Sequence, residues 1–214
     1  MTNILKYNYQ VLPSTHVGLL HDFSVEPHWR DTDDWTSLCN ARSGHNDGTF
    51  SSANRAVLQT CVKPWMRCIV EIGVSRDSWF ESSSRVLIEN KHPDCLYLGI
   101  DIEDRSWVTN MGQNVHFTQQ SSYNVENIVG IIQQLGHEWI DLLFIDGDHS
   151  VNSVLTEWQF TQYVRPSTGV IALHDTNYHP GPWCLMDSLD PSMFKGEKYC
   201  ETVNDWGFGI IYKL

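Results

Sequence analysis

Short apolar runs alternate with helical segments from Arg67 onward, and this alternation constrains the fold more than any other feature. The runs occupy residues 68–72, 96–101, 115–118, 141–145 and 170–173. Between two of them, apolar residues recur at helical spacing over 125–135, and Gly136 supplies a stop. Strands that alternate with helices form βαβ units, so the sequence predicts an α/β fold with a parallel sheet. Two further runs, at 197–203 and 208–212, are predicted to pair antiparallel at the end of the chain.

Right-handed crossovers place the carboxyl ends of parallel strands at one edge of the sheet, where open α/β folds bind ligands. The residues predicted at this edge are Gly73, Asp101, the loop 119–122, Asp146, and the pair His174 and Asp175. The site is therefore predicted from topology together with residue type.

Length and charge narrow the class of protein. A chain of 214 residues suits one α/β domain, predicted at 63–214, preceded by an extension or lid at 1–62. The formal net charge of −12 disfavours nucleic acid as a partner, because an acidic surface repels phosphates. The expected partner is a small molecule, and homo-oligomerisation is left open.

The chain start lacks an apolar signal-peptide segment, and no apolar run approaches the length that spans a membrane. The six cysteines form no C-x-x-C pair, which argues against a zinc ribbon or a redox motif. We therefore expect a reduced, soluble, cytoplasmic protein without a membrane partner.

The run at 141–145 ends in Asp146, Gly147, Asp148 and His149, and the run at 170–173 ends in His174 and Asp175. Carboxylates suit Mg²⁺, Ca²⁺ or Mn²⁺, and a histidine shifts the preference toward Mn²⁺, Fe²⁺ or Zn²⁺. The alternative is that these acids serve turns and helix caps, and Asp148 in particular is predicted to be a cap. His149 is either a general base or a structural histidine.

A glycine and an acid mark the ends of the first two strands. Gly73 either lets a ligand approach the backbone or only forms a turn. Asp101 can accept hydrogen bonds from two ribose hydroxyls, and its alternative is a helix N-cap or a solvated turn. The full G-x-G-x-x-G fingerprint is absent, which disfavours a nicotinamide oxidoreductase.

Over about residues 67–214 the chain resembles the class I S-adenosylmethionine-dependent methyltransferases. Glu71 and Gly73 stand in what is similar to the family's first motif, and Asp101 matches its ribose-binding acid. Ser121 and Ser122 fall where the family often has its adenine-side loop. The resemblance implies a Rossmann-like, doubly wound, mostly parallel seven-stranded sheet with an antiparallel last strand.

The segments 145–150, 165–169 and 174–176 resemble those of small-molecule enzymes of the cephalosporin-hydroxylase and macrocin O-methyltransferase type. In metal-dependent relatives, acids matching Asp146, His174 and Asp175 hold a divalent ion, and a residue matching His149 takes the substrate proton. Asp146 is thereby implied both in catalysis and beside the cofactor.

The sequence departs from this family pattern at two places. The first motif lacks its second glycine, so Ser82 or Ser83 is expected to hold the carboxylate end of the cofactor. His174 stands where metal-dependent relatives more often carry an acid.

The resulting hypothesis is an S-adenosylmethionine-dependent methyltransferase that acts on a small molecule. It is predicted to methylate a hydroxyl oxygen with a general base and with Mg²⁺ or another divalent cation. The alternative is a non-catalytic, methyltransferase-like binding or regulatory domain.

Overall fold

A single eight-stranded sheet organises the protein in the computed structural model, which describes residues 5–7, 52–75, 79–176, 179–200 and 206–214. The strands are β1 Leu5–Tyr7, β2 Cys68–Ile72, β3 Leu96–Asp101, β4 Val115–Gln119, β5 Leu142–Ile145, β6 Val170–His174, β7 Phe194–Cys200 and β8 Phe208–Lys213. Their order across the sheet is β1-β7-β8-β6-β5-β2-β3-β4.

The five central strands β2 to β6 are parallel, and β8 lies antiparallel between β6 and β7. The predicted Rossmann-like, mostly parallel sheet with an antiparallel last strand is therefore confirmed. The sequence predicts seven strands, and the structure has an eighth, β1, which pairs antiparallel with β7 at the edge of the sheet.

Five α-helices pack on this sheet within the described ranges. They are α1 Ser52–Cys61, α2 Ser83–Asn90, α3 Val125–Gln134, α4 Val151–Glu157 and α5 Pro180–Asp187. Residues of α1 and α2, including Leu58 and Leu87, share one buried cluster, whereas residues of α3 and α5, including Ile128 and Leu185, share another. Helices thus cover both faces of the sheet.

Burial on both faces explains why the central strands are continuously apolar. All four residues of β5 are buried, and they alternate between the two clusters, with Leu143 in one and Phe144 in the other. Parallel strands enclosed by helices require such sequences because neither side faces water.

The register of the strands places their carboxyl ends side by side. Ile72 pairs with Ile145, and Ile145 pairs with Leu173. The residues that follow, Gly73, Asp146 and His174, therefore emerge at neighbouring positions on one edge, as the sequence predicts.

Helix α1 precedes the predicted domain boundary at residue 62, yet Val57, Leu58 and Cys61 are buried in the core. The lid role of residues 1–62 remains a prediction, since 8–51 lie outside the described residues. Among the described helices, none combines the length and the apolar character needed to cross a bilayer.

Candidate active site

Gly73 is required by the packing of two loops. It has a φ of +85°, and a Cβ at this position would overlap the backbone carbonyl of Asp146. The backbone N–H of Asp146 donates to the Ile72 carbonyl at 2.8 Å. Glycine at this position therefore allows the loop after β2 to pack directly against the loop after β5. This contact fixes the two loops relative to each other.

Glu71 is fully buried in the middle of the sheet. Its carboxylate accepts hydrogen bonds from the hydroxyls of Ser83 at 2.5 Å and Ser84 at 2.7 Å, and also from Tyr97. Burial raises the pKa of Glu71 to about 7, although these hydroxyls oppose the shift. The side chain thus fixes the start of α2 behind the first motif, and any contribution to cofactor binding must act through that position.

Ser82 is the N-cap of α2. Its hydroxyl accepts from the backbone N–H of Arg85 at 3.1 Å and donates to the Trp79 carbonyl at 3.0 Å. The side chain is 1% exposed. The cap explains why a serine suits this position, and the expected contact with a cofactor carboxylate stays a prediction.

Asp101 ends β3 and faces the first motif. One carboxylate oxygen accepts from the backbone N–H of Val74 at 3.0 Å, and the other accepts from that of Glu103 at 2.9 Å. The carboxylate is thus held rigidly between two loops. Each oxygen keeps a further lone pair for a ligand hydroxyl.

The loop after β4 contacts a buried acid that the sequence analysis missed. The hydroxyl of Ser122 donates to Oε1 of Glu157 at 2.8 Å, and that of Ser121 accepts from the backbone N–H of Tyr123 at 3.2 Å. Oε2 of Glu157 is buried without a hydrogen-bond partner. Burial raises the pKa of Glu157 to about 8, with Asp148 and Asp146 acting in the same direction.

The predicted metal ligands meet at the ends of β5 and β6. Nδ1 of His174 lies 3.1 Å from Oδ1 of Asp146 and 3.1 Å from Oδ1 of Asp175. One ligand atom from each residue lies within 4.8 Å of the others. Two carboxylates and an imidazole nitrogen form a donor set that fits a divalent cation.

The electrostatics of this group favour positive charge between the two acids. Burial opposes protonation of His174, but Asp175 and Asp146 outweigh it and raise its pKa well above the usual range. Burial likewise opposes ionisation of Asp175, but His174, His149 and His179 lower its pKa to about 2. Asp175 is therefore ionised at neutral pH.

Asp175 also has a left-handed backbone, with a φ of 60°. Non-glycine residues rarely adopt this conformation, which costs about 1–2 kcal/mol. Such strain persists only where the surroundings enforce it, and it is concentrated at functional sites.

His149 lies on the loop that opens α4, and its Nε2 forms a hydrogen bond with Oδ2 of Asp175. An ionised carboxylate only accepts hydrogen bonds, so Nε2 must carry the hydrogen. In the neutral ring, Nδ1 then keeps the lone pair. The arrangement is that of a histidine oriented by an acid and able to accept a proton at Nδ1.

His179 belongs to the same cluster. Its Nε2 lies 3.7 Å from Oδ2 of Asp175, and its ring meets that of His149 at 4.3 Å between centroids. Burial, together with the neighbouring His149, lowers the pKa of His179 to about 4. The only sequence signal was its position four residues after Asp175.

Asp148 is not itself the cap of α4, so this prediction needs a correction. Ser150 is the N-cap, and its hydroxyl accepts from the backbone N–H of Ser153. Asp148 instead accepts from the backbone N–H of Ser150 at 3.0 Å and from the Ser153 hydroxyl at 2.7 Å. These bonds, led by that from Ser153, lower the pKa of Asp148 and brace the loop that carries His149.

Helix α1 also reaches the site. Nδ2 of Asn54 lies 2.9 Å from Nε2 of His174, and Asn54 is 2% exposed. The segment before residue 62 thus supplies a neighbour to a predicted metal ligand. No motif in the sequence indicates this contact.

Comparison with known sequences identifies the family of the chain. A family described as a methyltransferase domain matches residues 70–176, which is half of the chain and contains the residues of the acid and histidine cluster up to Asp175. The chain belongs to this methyltransferase family, as the sequence motifs predict. Curated proteins gave no match.

Several solved methyltransferase structures share this fold. The chain is similar to MycE from the mycinamycin biosynthetic pathway, solved with Mg, S-adenosylhomocysteine and mycinamycin VI (TM-score 0.55, 18% identity, 84% of this chain and 54% of that one). It is also similar to an O-methyltransferase from Bacillus cereus with S-adenosylhomocysteine (TM-score 0.53, 14% identity, 84% and 90%). The chain therefore spans about half the length of MycE.

A structure named as a putative rRNA methylase from Clostridium thermocellum shares the fold as well (TM-score 0.56, 10% identity, 78% of this chain and 98% of that one). At these identities the likeness concerns the fold. The expectation that nucleic acid is not a partner therefore rests on the sequence, chiefly on its acidic charge, and stays a prediction.

Proposed function

We propose that this methyltransferase transfers the methyl group of S-adenosylmethionine to a hydroxyl oxygen of a small molecule. The observation that carries the proposal is the convergence of Asp146, His149, His174 and Asp175 at the strand ends beside the first motif. The small-molecule acceptor is supported by the mycinamycin bound to MycE and by the net charge of −12.

The cofactor side of the site is assigned to the β2, β3 and β4 ends. S-adenosylmethionine supplies an electrophilic methyl group, so the protein must mainly hold and orient the two reactants. Asp101 is positioned to accept hydrogen bonds from ribose hydroxyls, and Gly73 keeps the adjoining loop close to the β5 loop. We assign Ser121 and Ser122 to the adenine side, and Ser82 to the far end of the cofactor.

The proton of the acceptor hydroxyl is assigned to His149. Asp175 holds the imidazole with its hydrogen on Nε2, so the lone pair on Nδ1 is available to the acceptor. Once His149 is protonated, the adjacent carboxylates of Asp175 and Asp146 stabilise the imidazolium. The same roles are familiar from acid–histidine pairs in other enzymes.

Asp146, His174 and Asp175 are the residues that would hold a divalent cation, whose charge favours the deprotonated acceptor. The assignment is supported by the donor set and by the two carboxylates of Asp146 and Asp175, each of which has an oxygen 3.1 Å from Nδ1 of His174. Asp146 contributes to this site and also fixes the β5 loop against Gly73.

Calorimetric titration with S-adenosylmethionine tests the proposal. We expect micromolar binding that is lost in Asp101→Ala, and formation of S-adenosylhomocysteine with members of a panel of phenolic and sugar hydroxyl compounds. Absence of cofactor binding would contradict an enzyme of this class. Binding without turnover on any acceptor would favour the non-catalytic domain.

The metal assignment has a separate test. Elemental analysis after dialysis against Mn²⁺ should find one bound ion in the wild type and none in Asp146→Ala. The alternative outcome, activity that survives EDTA together with normal cofactor binding by Asp146→Ala, would show that Asp146 only shapes the pocket.

A further inference from the structure

The two carboxylate oxygens of Asp175 face different histidines. Oδ1 lies 3.1 Å from Nδ1 of His174, within the group proposed to hold the catalytic cation. Oδ2 faces Nε2 of His149 and, at 3.7 Å, Nε2 of His179. The ligand atoms of His149, Asp175 and His179 all lie within 4.8 Å of one another. Asp175 thus joins two donor groups of different composition.

The second group is held in place by packing. The His179 ring stacks on Trp206 at 5.4 Å and 11°, and meets His149 edge-on at 4.3 Å. The backbone N–H of Gly181 donates to the His149 carbonyl at 2.9 Å, and Gly181 leaves no room for a Cβ against that carbonyl. The start of α5 is therefore fixed against the His149 loop, which presents the two imidazoles together.

We propose that His149, Asp175 and His179 form a second cation site, one that takes Zn²⁺ and inhibits the enzyme. Two imidazole nitrogens and one carboxylate are the ligand set of many three-residue zinc sites. The neighbouring group of two carboxylates and one histidine suits harder ions such as Mg²⁺ or Mn²⁺. The inhibitory part of this inference rests on the proposed role of His149 as the base.

Inhibition follows from the position of one hydrogen. Without zinc, the neutral ring of His149 carries its hydrogen on Nε2, which bonds to Asp175, and its lone pair on Nδ1. Zinc binds the Nε2 lone pair, so the single hydrogen of the neutral ring must move to Nδ1. Nδ1 then donates instead of accepting, and the acceptor hydroxyl loses its base.

Equilibrium dialysis against Zn²⁺ tests the site without reference to activity. We expect His179→Ala to weaken zinc binding about 100-fold, in line with the importance of ligands and their partners at metal sites. His179→Gln, which keeps a polar side chain, should give the same loss. His92→Ala is the matched control, because His92 lies by Asp94 on an exposed turn, and it should bind zinc like the wild type.

His174→Gln separates the two donor groups. It should retain zinc at the second site, whereas loss of zinc in His174→Gln with normal binding in His179→Ala would place the ion in the first group and overturn the proposal. Equal zinc affinity in the wild type, His179→Ala and His179→Gln would also overturn the proposal.

A second experiment measures the rate of methyl transfer at fixed Mg²⁺ as Zn²⁺ is increased. The rate of each variant is divided by its own rate without zinc. Zinc should inhibit the wild type and His92→Ala, and inhibition of His179→Ala should need about 100-fold more zinc. If zinc binds through His179 without inhibiting, the base assignment is wrong. If S-adenosylmethionine does not bind at all, the proposed function fails while the dialysis result still decides the site.

Discussion

Nε2 of His149 bonds to the carboxylate of Asp175, although the two residues stand 26 positions apart in the sequence. The contact depends on β5 and β6 being neighbours in register, because each residue follows the end of one of these strands. It also depends on the left-handed backbone of Asp175, which sets the direction of the carboxylate. The orientation of the proposed base is therefore a consequence of sheet topology and local strain.

Replacing His149 by alanine should lower kcat by about 10²- to 10⁴-fold, the usual contribution of a positioned general base. The dissociation constant of S-adenosylmethionine should change less than about twofold, because the assigned cofactor contacts lie at the ends of β2, β3 and β4 and at the start of α2. Steady-state kinetics and calorimetry give the two quantities. His92→Ala should match the wild type in both, and an unchanged kcat in His149→Ala would remove the base assignment.

Asp101 and Asp104 offer a matched pair of acids on one loop. Asp101 spans the first motif and its own loop, whereas the exposed Asp104 accepts from the backbone N–H of Ser106 at 2.8 Å within its own turn. Asp101→Asn should weaken S-adenosylmethionine binding about 10- to 100-fold, since hydrogen bonds to a charged group contribute about 1.5–3 kcal/mol.

Asp104→Asn should leave the affinity for S-adenosylmethionine unchanged. Calorimetric titration compares the two variants directly. Equal losses in both would mean that loop structure, and not a ligand contact at Asp101, controls binding.

The strand ends could be predicted from sequence because they depend on residue type and on general rules of parallel sheets. Apolar runs that stop at Asp101, Asp146 and His174 identify one edge, and the register brings these positions together. The topology predicts which residues lie together, and the resemblance to the family then predicts the role of each.

Contacts that depend on how helices and loops pack were not predictable in the same way. His179 reaches the cluster because Gly181 lets α5 approach the His149 loop, and Asn54 reaches His174 from a helix far away in sequence. The preference of acids for helix starts predicts Asp148 as a cap, but Ser150, two residues later, takes that place. Such choices follow from local geometry that residue preferences do not determine.

Three glycines distinguish the cost of a positive φ from the cost of steric overlap by an added Cβ. Gly73 and Gly136 both have positive φ, but only Gly73 is packed against another backbone, and Gly130 lies within α3 with open space around it. Gly136→Ala should destabilise by about 1–2 kcal/mol through strain alone. Gly73→Ala should cost at least about 2 kcal/mol more because the β5 loop must move.

Gly130→Ala should stabilise the protein by about 0.5–1 kcal/mol, because alanine loses less entropy in a helix. Urea denaturation measures all three changes in the free energy of unfolding. If Gly73→Ala and Gly136→Ala were equally destabilising, the contact between the β2 and β5 loops would be less constraining than the structure indicates.

Glu157 predicts a stability that falls as pH rises. Its pKa is raised by burial to about 8 in the folded protein, whereas an unfolded glutamate titrates near about 4.3. Between these values the folded chain binds a proton that the unfolded chain has lost. The stabilising difference is therefore fully present below about pH 4 and is lost as pH rises to about 8, by about 1.4 kcal/mol per pH unit at most.

Glutamine at this position cannot ionise and retains a donor where Oε2 lies buried without a partner. The stability of Glu157→Gln relative to the wild type should therefore increase between pH 5 and pH 8, by an amount on the order of 1–3 kcal/mol. Glu126→Gln, a change at an exposed position in the first turn of α3, controls for altered charge and should show no such trend. Glu71, with a pKa of about 7, contributes the same pH dependence of the unfolding free energy to the wild type and to both variants, so its effect cancels in the comparison. A relative stability that stays constant across this pH range would mean that Glu157 is already ionised in the folded state.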